Sequence, residues 1–229
     1  MRLHRFIGDF DLTRKEVEIT NPENIKQMKD VLRLQIGEKI ILGDGKGIEA
    51  EVTLEKIAKN KIIGRINKNV SARTPLAGRT VNLYLAILKK ENFELVVQKA
   101  VEVGVSNIIP IITERTIKTG LNIERLKKII LEASEQSGRS IVPTLSPILD
   151  FKDALKQGTG IIFHLGAEDY LPDKNAKEVS IFVGPEGGFT EKEVDLAKSS
   201  GYTVASLGPL TLRSETAAII ATYRVVSGI

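Results

Sequence analysis

The pattern of apolar and polar positions changes character about a third of the way along the chain. Up to residue 70 it is mostly two-residue. Ile48, Ala50, Val52 and Leu54 alternate with Glu49, Glu51, Thr53 and Glu55, which predicts a half-buried strand. Asp44-Gly45-Lys46-Gly47 supplies turn chemistry between it and the apolar run at 38–42, and the run at 60–66 reads as a further strand. One helix interrupts this pattern. Asn21 caps it, Pro22 takes its first position, and Ile25, Met28 and Leu32 share one face. The segment predicts a small β-barrel-like module with a helix at its flank. Residues 71–79 are polar, aperiodic and hold Pro75 and Gly78, as a linker does.

Beyond the linker, strands and helices alternate. A strand at 80–88 precedes a helix at 91–103 with Phe93, Val96, Val97, Ala100 and Val101 at helical spacing and Gly104 as its stop. The strand at 107–112 contains Pro110, which argues for a strand end or a sheet edge. Asn122 caps a helix bearing Leu126, Ile129, Ile130 and Ala133 that stops near Gly138. Short apolar strands follow at 160–165 and 179–184. Thr190 and Glu193 then make a capping box for a helix ending at Gly201. A strand at 202–207 leads to a final helix capped by Ser214 and apolar on most faces. This order predicts an α/β domain with a mainly parallel sheet. The expected domains are residues 1–72 and 73–229.

Composition narrows the chemistry. The 229 residues include no cysteine, which excludes disulfides and thiolate metal sites. His4 and His164 are the only histidines, too few for a histidine-rich metal centre, and no metal is expected. Neither a G-x-G-x-x-G fingerprint nor a P-loop occurs, and two isolated histidines offer no Ser-His-Asp triad. No apolar run approaches the ~20 residues of a membrane span, and the first residues lack a signal-peptide core. A cytoplasmic protein is therefore expected. The net charge is +4, of which residues 1–72 carry +3. That surplus permits an anionic partner without demanding one.

Three segments stand out. Gly184-Pro185-Glu186-Gly187-Gly188-Phe189-Thr190 follows a strand and opens a helix, where open α/β sheets bind ligands. Adjacent glycines let backbone amides approach a ligand without Cβ obstruction, although a tight turn needs glycine too. The segment from Leu207 to Thr216, LGPLTLRSET, also links a strand to a helix. Its leucines and backbone groups suit an adenine-like ring. Arg213 stands at a helix start, which favours anions, so a cation there is tolerated best facing an anionic ligand. In Glu132-Ala133-Ser134-Glu135-Gln136-Ser137-Gly138-Arg139, Glu135 and Arg139 have the spacing of a helical ion pair.

Taken together, GPEGGFT, LGPLTLRSETAA, EASEQSGR and the upstream QKAVEVGV resemble the small-subunit (16S) ribosomal RNA uridine-N3 methyltransferases of the SPOUT superfamily. The resemblance spans nearly the whole chain, with Ile109-Pro110 and Thr113-Glu114-Arg115 as further matches. It implies a trefoil-knotted α/β methyltransferase domain preceded by a PUA-like RNA-binding β-barrel, a homodimer, and S-adenosylmethionine as cofactor. Carried over residue by residue, it implies cofactor contacts from His164, Leu165, Gly184, Gly187, Gly188, Leu207, Gly208, Leu210, Leu212 and Thr216. Arg213 and Glu215 match the LR-x-ET motif where cofactor meets nucleotide; with Arg139 they are the expected catalytic residues. Two departures stand out. The family often has arginine where this chain has Leu210, and often has histidines shortly before the Val31-Leu32-Arg33 stretch, where this chain has none.

The implied reaction methylates N3 of a uridine in small-subunit ribosomal RNA. That nitrogen is a poor nucleophile until its proton leaves. Arg213 or Arg139 would stabilise the uracil anion, while Glu215 at a helix start is held ionised and suits an orienting role better than a base. RNA backbone contacts are expected from Arg2, Arg5, Lys29 and Arg33, extended by Lys89 and Lys90. Competing readings are a SPOUT methyltransferase acting elsewhere on RNA (such as ribose 2′-O), a non-catalytic ribosome-assembly factor, and a small-molecule enzyme using an adenine nucleotide.

Overall fold

A computed structural model of the chain describes residues 3–70, 78–117, 120–173 and 175–229. Arg2 and most of the expected linker, residues 71–77, lie outside the described residues. The chain divides into two units: Met1–Thr74 with Ser134–Val142, and Pro75–Ala133 with Pro143–Ile229. The expected boundary at residue 72 places 134–142 in the second domain; the structure groups this segment with the first unit.

In the first unit, five strands among the described residues form one sheet: β1 (His4–Ile7), β2 (Glu16–Ile19), β3 (Lys39–Gly43), β4 (Glu49–Ile57) and β5 (Ile62–Val70). Their order is β1-β3-β4-β5-β2, antiparallel except for the β1–β3 pair. Helix α1 (Pro22–Lys26) starts as expected, with the Asn21 side chain accepting from the N–H groups of Glu23 and Asn24. It runs into a π-helical turn, Gln27–Val31. Ile25 and Met28 enter a core that includes Phe6, Val17, Ile19, Ile40, Leu42, Ala50, Val52, Leu54 and Ile62.

The predicted alternation of β4 holds for Ala50, Val52 and Leu54, which are fully buried. It fails at the start. Ile48 is 55% exposed and Glu49 only 1%. The reason is Arg5, whose Nε lies 2.7 Å from Glu49 Oε1 and whose Nη2 lies 3.3 Å from Oε2. A bidentate charge-assisted pair makes the buried carboxylate tolerable. The segment 134–142 is tied in by backbone polarity. The Ile7 N–H donates to Glu135 Oε1 (2.8 Å), and the Val142 N–H to the Gly45 carbonyl (2.9 Å).

The second unit contains the predicted strands and helices, together with β8, β9 and α4, which the sequence pattern did not show: β6 (Thr80–Ala86), α2 (Lys90–Val103), β7 (Asn107–Ile112), α3 (Ile123–Ser137, its last turn grouped with the first unit), β8 (Thr144–Leu145), β9 (Leu149–Asp150), α4 (Phe151–Leu155), β10 (Ile161–Phe163), β11 (Glu178–Val183), α5 (Glu191–Ser199), β12 (Thr203–Ala205) and α6 (Ser214–Ser227). The ladders are all parallel, in the order β12-β10-β11-β6-β7-β8, with β9 also on β7. A parallel sheet is covered on both faces, which explains the nearly continuous burial of β6. On one face Tyr84 stacks on Phe182 (4.2 Å between ring centroids), with Phe151 and Tyr202 edge-on to Phe182. Helix α6 packs with α2, β6 and β11.

Two local expectations need correction. Pro110 lies inside β7, not at its end, and β7 is not a simple edge. β8 pairs with Asn107 and Ile108, and β9 with Ile111 and Ile112, which leaves Pro110 opposite the gap between them. The Ile111 carbonyl faces the β6 side (Ile87 N–H, 3.1 Å) and the Ile108 carbonyl faces β8 (Ser146 N–H, 2.9 Å). By alternation Pro110 faces the gap, where its missing N–H leaves no ladder bond unmade. At the last helix the cap position belongs to Arg213, without a side-chain capping bond, and Ser214 is the first helical residue.

Candidate functional site

Strands β12, β10 and β11 are neighbours and parallel, so their carboxyl ends open on the same side. The segments that leave them enclose a cavity of about 300 Å³. Phe163, His164 and Leu165 come from the end of β10, residues 183–189 from the end of β11 and the loop after it, and 206–208 with 210–212 from the β12–α6 loop. Ser214 and Ala217 add the first turn of α6, and Arg115 reaches in from the segment after β7.

Each loop has a physical reason for its shape. The Gly188 N–H donates to the Pro185 carbonyl (2.8 Å), closing a tight turn. A Cβ on Gly184 would sit 3.1 Å from the Phe189 nitrogen and 3.2 Å from its ring, so glycine lets this loop fold back on itself without a backbone shift. The loop then enters α5 through the predicted capping box: Thr190 and Glu193 each bond the other's backbone N–H. In the second loop Gly208 has φ +120°, a conformation that L side chains rarely adopt. Ser206 Oγ holds that bend, accepting from the Gly208 N–H (3.1 Å) and lying 2.9 Å from its carbonyl. Between the two loops, the His164 N–H donates to the Ala205 carbonyl (2.9 Å), and its Nε2 lies 3.7 Å from Glu191 Oε1.

The lining mixes apolar walls (Phe163, Leu207, Leu212) with backbone groups of glycine turns. That is the chemistry of a site for a flat heterocycle bearing polar edges. Leu165 and Leu210 stay 54% and 76% exposed, apolar side chains that this unit leaves uncovered.

Nine of the ten residues expected at the cofactor line this cavity: His164, Leu165, Gly184, Gly187, Gly188, Leu207, Gly208, Leu210 and Leu212. Thr216 does not, because Ser214 and Ala217, one helical turn apart, present the α6 face that does. Arg213 is exposed at the helix start, and Glu215, which accepts a 3.4 Å bond from Asn92 Nδ2, is half-buried; neither lines the cavity. Arg139 belongs to the first unit, where its Nε donates to the Ile141 carbonyl (3.2 Å). Burial lowers its guanidinium to about 10, which leaves it a cation at neutral pH.

The residues expected at RNA fare unevenly. Arg5 is corrected: its charge is engaged by buried Glu49, with only 9% of its side chain exposed. Lys29 Nζ donates to the Ala58 carbonyl (3.0 Å) beside Lys26 and Lys59, which line the same shallow pocket. Arg33 is exposed and adopts φ +53°, the one positive φ among the described non-glycine residues. In the second unit Lys89 and Lys90 are exposed at the start of α2, and the Lys89 N–H donates to Glu186 Oε1 (3.2 Å).

Sequence reasoning missed Arg115, Phe163 and Ser206. Position could have found the first. Arg115 follows the carboxyl end of β7, in the same sheet whose other strand ends build the cavity.

This architecture and cavity define a class, and comparison identifies it. Residues 75–226 match the RNA methyltransferase domain family, and residues 19–67 match the RNA methyltransferase PUA domain family. The ribosomal RNA small subunit methyltransferase E of Rickettsia conorii is 32% identical, covering 92% of this chain and 89% of its own. A solved structure of the Neisseria gonorrhoeae ribosomal RNA small subunit methyltransferase E, bound to S-adenosyl methionine, superposes with a TM-score of 0.85 at 31% identity, covering 96% of this chain and 95% of that one. A methyltransferase from Legionella pneumophila, solved with the same cofactor, gives 0.85 at 29% identity, covering 97% and 96%. The chain belongs to the ribosomal RNA small subunit methyltransferase E family. Its fold is the one the resemblance implied, a SPOUT-type knotted α/β methyltransferase domain preceded by a PUA-like module.

Proposed function

We propose that this chain is an S-adenosylmethionine-dependent methyltransferase that modifies N3 of one uridine in small-subunit ribosomal RNA. The observation that carries the reading is the convergence of the two glycine-bearing loops and the end of β10 on one cavity, in a chain of this family. The cavity fits the cofactor's chemistry. Leu207, Leu212 and Phe163 would flank its adenine, and the turns at Gly184–Gly188 and Gly208 bring backbone polar groups close without Cβ obstruction. When bound, the cofactor supplies an electrophilic methyl group on a sulfonium.

The protein's own task is then positioning and charge. N3 must be presented in line with the methyl carbon, which is an entropic task for loops and walls. N3 is a Watson–Crick edge atom, so the uridine must leave any pairing before it enters. Its proton must depart, and the resulting anion needs a cation. Arg213, exposed at the start of α6, is assigned that role, with Arg139 as the second candidate. Glu215 lies in the first turn of the same helix, half-buried and bonded by Asn92 Nδ2. It is assigned an orienting role. Thr216 lies beyond the lining and is assigned support of that turn.

Residues 1–72 would grip RNA and 73–229 would carry the transfer, working as a homodimer in the cytoplasm. Among the described residues no helix is long and apolar enough to cross a membrane. Lys29 and Arg33 in one unit, Lys89 and Lys90 in the other, and Arg2, outside the described residues, would supply cations to phosphates. The test is methyl transfer from labelled S-adenosylmethionine to small ribosomal subunits lacking base methylation, with the product nucleoside identified by mass spectrometry. A single N3-methyluridine is expected. A methylated ribose would move the target, and cofactor binding without transfer to this RNA would overturn the substrate assignment.

A further inference from the structure

The segment after β7 and the loop after β11 are fastened to each other from both sides. Arg115 Nη1 donates to the carbonyl of Gly187 and, at 3.5 Å, to that of Phe189. In return, the Glu114 N–H donates to Glu193 Oε1 (2.8 Å), while Glu193 Oε2 accepts from the Thr190 N–H (2.8 Å). Glu193 is buried at 8% exposure. Two peptide planes of the loop are therefore held at both ends. The 187–188 plane has its carbonyl on Arg115 and its N–H on the Pro185 carbonyl. The 189–190 plane has its carbonyl on Arg115 and its N–H on Glu193. A peptide pinned at carbonyl and amide cannot flip without breaking two bonds.

Arg115 also meets the loop by packing. A Cβ added to Gly187 would lie 3.2 Å from Arg115 Cδ, so the arginine stem lies against the loop and a side chain there would press on it. Among the described residues no carboxylate pairs with this guanidinium; its bonds go to loop carbonyls.

We infer that Arg115 is a positioning residue that presets the Gly184–Gly188 loop for the cofactor, with Glu193 as the reciprocal half of the clasp. The inference rests on the functional reading above, since it concerns the same cavity. The direction of effect follows. Without Arg115 the loop samples other peptide orientations, and binding must first select the competent one. Cofactor affinity falls by the fraction of time the loop is misfolded locally, while the sheet beneath is untouched.

The experiment compares the parent with Arg115→Ala and Arg115→Lys. Hydrogen exchange of the peptide spanning 184–190 is measured without ligand, and S-adenosylhomocysteine affinity by calorimetry. Arg115→Ala should exchange faster in that peptide, keep its protection in β6 and β11, and bind about tenfold more weakly. Arg115→Lys should recover part of both, because a lysine can still donate to a carbonyl. Unchanged exchange with weaker binding would overturn the inference, since Arg115 would then touch the ligand itself. Unchanged affinity would overturn it as well. A parent protein that does not bind S-adenosylhomocysteine would refute the functional reading, while the exchange result would still decide whether the clasp orders the loop.

Discussion

Replacing Arg5 with methionine should cost the first unit stability and leave RNA affinity nearly unchanged. The side chains of Arg5 and Glu49 are 9% and 0% exposed, and the two hydrogen bonds between them measure 2.7 and 3.3 Å. Removing the arginine strands a carboxylate that has no access to water. Breaking a buried pair in this way costs about 3–5 kcal/mol. A second change, Glu49→Leu, removes the stranded charge, and replacing both partners by apolar groups is often neutral. The double variant should therefore recover most of the loss, and this reversal is the signature of a buried pair. Urea unfolding followed by hydrogen exchange in the β1 and β4 peptides reads the stability. RNA binding across a salt series reads the other role. An exposed phosphate-binding arginine would behave oppositely: stability within about 0.5 kcal/mol, and a salt slope reduced by roughly 0.7–0.9. That result would refute the reasoning and return Arg5 to the RNA path.

Three further outcomes are expected. Gly208→Ala forces a side chain onto φ +120°, a strain of about 1–3 kcal/mol; calorimetry with S-adenosylhomocysteine should show roughly tenfold weaker binding, and parental affinity would contradict the cavity assignment. Arg213→Ala should lower turnover far more than RNA affinity, and equal losses in both would argue against a transition-state role. Glu94 is held below its ordinary 4.5 by the hydrogen bond from Arg125 at 2.7 Å, partly opposed by desolvation. Because the folded value is the lower one, the pair stabilises above the ordinary value and is lost as pH falls through the depressed one. In Arg125→Gln the Glu94 titration followed by NMR should move up toward 4.5, and an unmoved midpoint would show that the pair is not formed in solution.

Local signals were legible wherever one residue decides the backbone. Asn21-Pro22 started a helix, Thr190 and Glu193 closed a capping box, and Gly104 and Gly138 ended helices in left-handed geometry. The two glycine loops were legible because a strand-to-helix turn and a ligand approach both need them. Pairings across the chain were not. The Ile48–Glu49 inversion depends on Arg5, forty-four residues away, and an alternating pattern carries no record of a partner so distant. Pro110 read as an edge because the gap between β8 and β9 is set by two-residue strands too short to show a period. Asn122 and Gly138 mark both ends of α3, yet which unit its last turn joins is a tertiary matter. Arg115 was passed over because its partners are backbone carbonyls, which any residue type supplies.

The strand order of the second unit has a consequence for synthesis. Strand β6 pairs with β11, Thr80 opposite Glu178, a separation of 98 residues. At roughly 5–20 residues per second, a nascent β6 waits on the order of 5–20 s after leaving the ribosome before that neighbour exists. Its other neighbour, β7, arrives much sooner, so one edge is covered early and the other stays open. Val81, Leu83, Leu85 and Ala86, all fully buried in the finished sheet, border that open edge. Such high contact order makes folding slow and leaves an aggregation-prone template during translation. The strands that build the cavity are the last three made, so a nascent chain that still lacks them has no cavity to offer, and the ligand cannot help the early strands to fold.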